Sequence, residues 1–239
     1  MKVVIFGATG MVGQGVLREC LLDTNVQLTQ TVGRTVTGMP HHMPHQRLRE
    51  IAHPDLWNYE PIKADLAGFD ACFFCLGVSS RGLDEAEYER ITYGITMAAA
   101  DILCRVNPKM TFIYVSGSGT DSSEKGKIMW ARVKGKTENA LLKMPFATAY
   151  MFRPGIIQPL DGIQSKTKMY RVFYKLSQPL LPVLRSLFPN HVLTTKQIGQ
   201  AMLNVARQGY PKPILESKDI RAAASPSTSG LHTVRQYGT

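Results

Sequence analysis

Near its amino end the chain reads Lys2-Val-Val-Ile-Phe6, then Gly7-Ala-Thr-Gly10-Met-Val-Gly13, then Gln14-Gly-Val-Leu-Arg-Glu-Cys-Leu-Leu22. The first run is short, apolar and rich in β-branched residues, which is typical of a buried parallel strand. From Met11 onward, apolar residues recur at helical spacing. Three glycines therefore lie where a strand passes into a helix.

The glycine spacing has a physical explanation in phosphate binding. Backbone N–H groups at a helix N-terminus attract anions, and a β-carbon at the point of contact would hold a phosphate away. Gly7 permits a tight turn, Gly10 lets the phosphates approach, and Gly13 lets the helix lie close to the strand. We therefore expect a dinucleotide diphosphate to contact Gly7, Ala8, Thr9, Gly10, Met11, Val12 and Gly13, although an ordinary tight turn could use the same glycines.

Length and composition predict one domain in a reducing compartment. The 239 residues include four cysteines without a paired framework, and the apolar run after Lys2 is too short for a secretory signal or a membrane span. We expect a single domain over residues 1–221, with 158–221 forming the substrate-side part and 222–239 a loose tail. A cytoplasmic location is the expectation that follows.

The net charge of +10 raises the question of nucleic acid as a partner. Lysines and arginines are spread along the chain, and neither an aromatic-interleaved basic patch nor a helix-turn-helix pattern accompanies them. A basic surface that draws in an anionic cofactor or substrate explains the charge better, so nucleic acid is not expected.

Strands and helices alternate along most of the chain. After the first helix, the patterns predict strands over 26–32, 48–51, 69–76, 111–115 and 148–152, with helices over 84–105 and 127–143 between them. A helix over 194–208 and a short strand over 213–215 follow. This alternation predicts an α/β fold with a doubly wound parallel sheet of the Rossmann type, helices on both faces and a small carboxyl-terminal lid on the substrate side.

The end of the second predicted strand indicates which nicotinamide cofactor is preferred. An acidic residue there would bind the free ribose hydroxyls of NAD, whereas an arginine can bind the 2′-phosphate of NADP. The sequence supplies Arg34, which favours NADP(H) over NAD(H), although a surface charge at a strand end would look the same. Asp55 and Leu56, after the third predicted strand, are candidates for contacts with the adenine.

Two histidine and cysteine patterns could suggest a metal, and neither predicts one. Residues 39–45 contain three histidines, but two prolines and the lack of neighbouring cysteine or carboxylate favour a polar loop. Cys72 and Cys75 form a C-x-x-C on a predicted strand, where side chains three positions apart point to opposite faces. Both are expected to be core residues, and no metal site is predicted.

The motifs as an ordered set resemble the atypical short-chain dehydrogenases/reductases, in particular the NmrA-like, Tat-interacting-protein-like and epimerase/dehydratase-like group. The matching pieces cover residues 2–157 and are Gly7-Ala-Thr-Gly-x-x-Gly13, Val32-Gly-Arg34, Cys75-Leu-Gly77 with Arg81-Gly82, the loop at Ser116, Val133-Lys-Gly135 and Phe152-Arg-Pro-Gly155. The resemblance implies further cofactor contacts at Leu76, Gly77, Ser116, Lys134, Pro154 and Gly155.

The resemblance also implies catalytic roles, with one departure. In active members a serine orients the substrate carbonyl, a tyrosine transfers the proton, and a lysine four residues later acts on the tyrosine and the cofactor. These positions correspond to Ser116, Trp130 and Lys134. An indole N–H can donate a hydrogen bond but is too weak an acid to give up its proton in turnover.

Three interpretations therefore stay open. The chain could be a reductase or epimerase-like enzyme acting on a small-molecule carbonyl through another acid, with Tyr93, Tyr114, Ser118 or water as candidates. It could instead bind NADP(H) without reaction, as a redox sensor or regulatory scaffold. Residues 166–187, apolar and basic, could contact a membrane surface or a partner, but a lid over the substrate pocket is favoured. A homodimer is also compatible with the sequence.

Overall fold

A parallel sheet of seven strands forms the centre of the computed structural model, which describes residues 1–38, 45–163 and 191–225. The sheet has the order β3-β2-β1-β4-β5-β6-β9, and every neighbouring pair is parallel. Its strands are β1 (Lys2–Phe6), β2 (Leu28–Gly33), β3 (Leu48–Ala52), β4 (Ala71–Phe74), β5 (Thr111–Val115), β6 (Thr148–Arg153) and β9 (Ile214–Glu216). The predicted doubly wound sheet is confirmed.

Helices connect the strands and cover the sheet. They are α1 (Met11–Leu22), α2 (Glu85–Glu89), α3 (Ile95–Val106), α4 (Met129–Leu142), α5 (Thr195–Gln208) and α6 (Ser217–Ala224). A π-helical turn over Arg90–Gly94 joins α2 to α3, and short 3₁₀ segments occupy His45–Arg47 and Glu60–Leu66. The long helix predicted over 84–105 is therefore one continuous helical run, capped by Asp84, whose carboxylate accepts from the Glu87 amide.

The strands are apolar on both sides because helices pack on both faces. On one face, Val3, Ile5 and Phe73 pack against α1, α5 and α6. On the other, Phe6 and Phe74 pack against α3 and the end of α4, with Leu103 and Leu141 among the contacts. The central strand β4 is buried along its whole length.

The two cysteines of the C-x-x-C lie on opposite sides of the sheet, as the strand geometry predicted. Cys72 belongs to the core on the α3 side, and Cys75 packs against the core on the α1 side. Burial raises the pKa of the Cys75 thiol to about 12. The thiol therefore stays protonated at neutral pH and is not a nucleophile.

Two features lie outside the large sheet. Strands β7 (Ile156–Gln158) and β8 (Val192–Thr194) form a separate parallel pair. Helix α6 continues to Ala224, so the prediction of a loose tail from Ala222 is wrong for residues 222–224. Alanine is the best helix former, and the Asn204 side-chain amide donates to the Ala223 carbonyl at 2.8 Å. The predicted lid segment 166–187 and most of the histidine loop 39–45 lie outside the described residues.

Helices α1 and α5 approach closely through glycines. A β-carbon on Gly15 would lie 2.5 Å from Thr195 Cβ, and one on Gly199 would lie 2.8 Å from Glu19 Cγ. Real side chains cannot pack at such distances, so both positions require glycine. The helix that follows the first glycine turn is thereby fixed to the carboxyl-terminal part of the chain.

We predict that Gly15→Ala destabilises the protein. The added methyl overpacks the α1–α5 contact, which should cost about 1–3 kcal/mol of unfolding free energy. Gly94→Ala is the matched control, since its β-carbon would lie 3.6 Å from Trp57 Nε1, an ordinary contact. There the gain in helix propensity should stabilise by up to about 1 kcal/mol. Urea unfolding followed by circular dichroism measures both, and equal changes would contradict the packing argument.

Candidate functional site

The first strand-to-helix turn brings three backbone segments together. Gly7 has φ +79°, and a β-carbon there would lie 2.5 Å from Leu76 Cα and from Leu76 N at the end of β4. A β-carbon on Gly13 would lie 2.2 Å from the Gly7 carbonyl oxygen. Gly13 thus lets α1 lie directly on the turn, and Gly7 lets the turn lie against the neighbouring strand.

The N-terminus of α1 is left open to an anion. Gly10 is the N-cap and supplies no side-chain hydrogen bond, and the first turn contains no acidic residue. The amides of Met11, Val12 and Gly13 have no acceptor within the helix because of the helical geometry. Bare amides at the positive end of a helix dipole fit a diphosphate.

A cleft of about 930 Å³ begins at this turn. It lies at the carboxyl ends of β1 and β4, where the strand order reverses and where ligands of doubly wound folds bind. Of the predicted cofactor residues, those that line it are Gly7, Ala8, Thr9, Gly10, Met11, Val12, Arg34, Leu56, Leu76, Gly77 and Gly155. The glycine turn and Arg34 therefore share one cavity.

Five predicted cofactor residues are outside the wall of this cleft: Gly13 and Asp55, and also Ser116, Lys134 and Pro154, which lie farther along. Gly13 packs against the turn from behind. Asp55 is exposed, and its carboxylate accepts from the Trp57 amide at 3.0 Å. In this structure Asp55 shapes the loop after β3, while its neighbours Leu56 and Trp57 line the cleft.

Sequence reasoning missed several residues at the end of the cleft where contacts with the adenine were predicted. Trp57 is half-exposed and has the Arg90 guanidinium 5.2 Å above its ring. Ile91 and Ile95 reach the cleft from the π-helical turn and the start of α3. A π-turn shifts the helix register locally, and the 3.6-residue apolar pattern of the sequence does not reveal such a shift.

A second cleft of about 710 Å³ continues from the first. The two share Val12, Cys75, Leu76, Gly77, Val78, Gly155 and Ile157. The second cleft adds Ser116, Ser118, Lys134, Pro154 and His191, among others. The predicted serine and lysine are thus brought together at the far end of the candidate cofactor site.

Lys134 projects from α4 toward the end of β5. Its ammonium donates a hydrogen bond to the Ser116 carbonyl oxygen. Desolvation lowers the pKa of this ammonium to about 8, against the opposing effect of the Glu138 carboxylate one helical turn away. A proton held near neutral pH is therefore available in this cleft.

The Ser116 hydroxyl is committed to a buried ion pair. It donates to Glu138 Oε1 at 2.5 Å, and the Arg153 Nε donates to the same oxygen at 3.1 Å. Glu138 is fully buried and Arg153 is 8% exposed. Arg153 also donates to the Ser122 hydroxyl at 2.6 Å. The hydroxyl proton of Ser116 thus points away from the cleft, whereas Ser118 lines it and is exposed.

The aromatic candidates for proton transfer lie elsewhere. Trp130 does not line either cleft; its ring atom Cη2 would be 3.6 Å from a β-carbon on Gly119. Tyr114 is buried in the sheet core, which raises the pKa of its phenol. Tyr93 faces the Lys136 ammonium, 5.1 Å from its ring centre. His191 lines the cleft and was missed, because it follows the segment where the sequence pattern is weakest.

Residues 1–38, 45–163 and 191–225 contain no cluster of three or more histidine, cysteine, aspartate or glutamate side chains arranged to hold a metal. Within these same ranges, no helix combines the length and apolar character needed to cross a bilayer.

Comparison with known proteins gives relatives and structural neighbours of one type. The chain is 30% identical over 154 residues to Protein FMP52-2, mitochondrial, of Scheffersomyces stipitis, covering 64% of this chain and 65% of that protein. It is 24% identical over 156 residues to Protein HTATIP2 of Rattus norvegicus, covering 65% of this chain and 62% of that protein. The chain thus spans just under two thirds of the length of these relatives. No family model matches it.

Solved structures share the fold. The Bordetella bronchiseptica enzyme WbmF, solved in complex with NAD⁺, superposes with a TM-score of 0.61 at 12% identity, covering 92% of this chain and 76% of that one. A UDP-N-acetylglucosamine 4-epimerase from Methanobrevibacter ruminantium has a TM-score of 0.63 at 17% identity, covering 87% and 74%.

The relatives correct one expectation. FMP52 proteins of several fungi are named mitochondrial, so the predicted cytoplasmic location is wrong and the relatives point to mitochondria. Cysteine usage could not separate the two compartments, because it reports only the absence of a disulfide framework. The resemblance to the atypical short-chain dehydrogenases/reductases is confirmed, both by the relatives that the sequence matches and by the epimerase-type fold that the chain adopts.

Proposed function

We propose that the protein binds NADP(H) and acts as an oxidoreductase of the atypical short-chain dehydrogenase/reductase type. The observation that carries this proposal is the shared cavity of the glycine turn and Arg34. The first offers bare amides to a diphosphate, and the second offers a guanidinium to a further phosphate. The second cleft, which begins where the first ends, would receive a small-molecule carbonyl substrate.

The preference for NADP(H) rests on the end of β2. Arg34 follows Gly33 directly, is exposed, and lines the cleft beside Thr35 and Thr37. A guanidinium with neighbouring hydroxyls suits a dianionic phosphate. A ribose with a free 2′-hydroxyl would instead call for a carboxylate in the cleft wall, and the described residues of that wall include none.

Lys134 is our candidate for the proton donor in carbonyl reduction. With a reduced nicotinamide bound, hydride transfer to the carbonyl carbon would leave an alkoxide oxygen that needs a proton. The Lys134 ammonium, with its pKa lowered to about 8, can give that proton and become a neutral amine. Ser118, rather than Ser116, has a hydroxyl free to hold the carbonyl oxygen. Trp130 has no part in this step.

A cofactor-binding protein without turnover is the alternative function. The specific observation in its favour is Trp130 at the position of the proton-donor tyrosine, outside both clefts. In that case Lys134 would serve only to hold the cofactor, and the protein would act as a redox sensor or regulatory scaffold. Both functions use the same site, within a single domain over residues 1–221.

We predict that Arg34→Ala weakens NADPH binding selectively. Loss of a charge-assisted hydrogen bond to the 2′-phosphate should raise the NADPH Kd by about 10- to 100-fold and leave the NADH Kd within about twofold. Calorimetry with both cofactors measures this. Arg105→Ala is the control, since that exposed side chain pairs with Glu60 and carries the same charge. Equal wild-type affinities for NADH and NADPH would remove the role given to Arg34.

We predict that NADPH affinity falls as the pH rises through about 8. Below the lowered pKa, Lys134 is an ammonium that attracts the anionic cofactor, and above it the side chain is neutral. Calorimetry between about pH 7 and 9.5 should reveal this midpoint in the wild type, since lysine in water titrates only near pH 10.4. Lys134→Met should bind more weakly and lack the midpoint. A midpoint that persists in this variant would assign the titration to another group.

We predict that Trp130→Tyr changes turnover by less than about threefold, because the indole lies outside the cleft, whereas Lys134→Met abolishes it. NADPH oxidation with a panel of aldehydes, ketones and quinones supplies the measurement. A flat trace with wild-type protein that binds NADPH tightly would support the sensor. A large gain with Trp130→Tyr would show that the new phenol reaches the substrate and that Lys134 is not the donor.

A further inference from the structure

Two hydrogen bonds attach the segment 33–37, at the end of β2 and just after it, to β3 and to the residue that follows β3. Gly33, the last residue of β2, accepts a hydrogen bond at its carbonyl from the His53 amide at 2.8 Å. Four residues later, the Thr37 amide donates to Glu50 Oε2 at 2.7 Å. Arg34 lies between these two attachments. The position of its backbone is therefore set by contacts with the neighbouring strand.

Glu50 makes the second of these two contacts. It lies opposite Thr31 in the β2–β3 register, and the Thr31 hydroxyl donates to the same carboxylate oxygen at 3.3 Å. Thr31 and Thr37 line the cofactor cleft, but Glu50 does not. The carboxylate is half-buried and lies outside the cleft wall, where it accepts from the backbone amide of Thr37.

The negative charge of Glu50 strengthens its hydrogen bond with the Thr37 amide. A carboxylate accepts a hydrogen bond from a backbone amide more strongly than a neutral oxygen does. The adjacent residue on β3, Arg49, pairs with Asp65 instead. The attached segment 33–37 presents the exposed guanidinium of Arg34. Fixing this segment favours binding, because less conformational freedom is then lost when a ligand binds.

We propose that Glu50 is a positioning residue for the loop that carries Arg34, and that it thereby favours a dinucleotide with a 2′-phosphate over one without. The inference rests on the proposed NADP(H) site. It adds a residue outside the cleft that controls cofactor choice. A negative charge near the end of β2 here supports phosphate binding through the backbone, although direct repulsion alone would oppose it.

The experiment compares Glu50→Ala with Glu50→Gln in the full chain. Alanine removes the acceptor of the Thr37 amide, so the NADPH Kd should rise about tenfold while the NADH Kd stays within about twofold. Glutamine keeps a carbonyl oxygen for that amide, and its NADPH Kd should stay within about threefold of the wild-type value. Asp65→Asn is the control, since it also removes one carboxylate close to β3 without touching the loop.

Amide hydrogen exchange of the peptide over residues 33–38 gives a second readout that needs no cofactor. Exchange should be faster in Glu50→Ala than in wild type and Asp65→Asn. Equal losses for NADPH and NADH in Glu50→Ala would mean that Glu50 only supports the fold, and tighter NADPH binding would mean that it only repels the phosphate. Either result overturns the proposal. If the wild type binds neither NADPH nor NADH, the proposed function fails, and the proposed selectivity between the two cofactors fails with it. If cofactor binding changes as expected but amide exchange over residues 33–38 is the same in Glu50→Ala and wild type, the attachment of this segment by Glu50 is refuted.

Discussion

The close contact of backbones at the first turn is the constraint on which the structure depends. The turn lies on the end of β4 at Gly7, and α1 lies on the turn at Gly13, in both cases at distances that exclude a β-carbon. This arrangement directs the first-turn amides of α1 into the crevice between β1 and β4. The proposals for the site depend on this orientation of the amides, because the second cleft shares part of its wall with the cleft that the amides face.

A buried ion pair performs the corresponding task at the other end of the site. Glu138 on α4 and Arg153 at the end of β6 join the helix that carries Lys134 to the strand that leads into Pro154 and Gly155. Burying two charges is costly, and the cost is offset only when each has several partners. Here Ser116, Ser122 and Glu216 provide them. The Ser116 hydroxyl is therefore one of the groups that stabilise this ion pair.

Regular elements with strong local patterns could be predicted from the sequence. The strand over 111–115 and the helix starting at Met11 were placed correctly because each has a continuous apolar pattern. The strand predicted over 26–32 is observed at Leu28–Gly33. Just before Leu28, the Gln27 amide donates a backbone hydrogen bond to the Met1 carbonyl, which precedes β1. The path of individual side chains could not be predicted. The Ser116 side chain is oriented by Glu138, a partner distant in sequence, and the Asp55 side chain is oriented by a local turn. Neither kind of contact produces a recognisable sequence pattern.

The wall common to the two clefts has a consequence for the order of events. Leu76, Gly77 and Gly155 belong to both cavities, so a dinucleotide stretched along the first would cover part of the floor of the second. A second ligand arriving afterwards would rest on the cofactor itself, whereas one arriving earlier would lie across its path. If the two clefts hold a cofactor and a substrate as proposed, this shared wall would favour addition of the cofactor first and its release last.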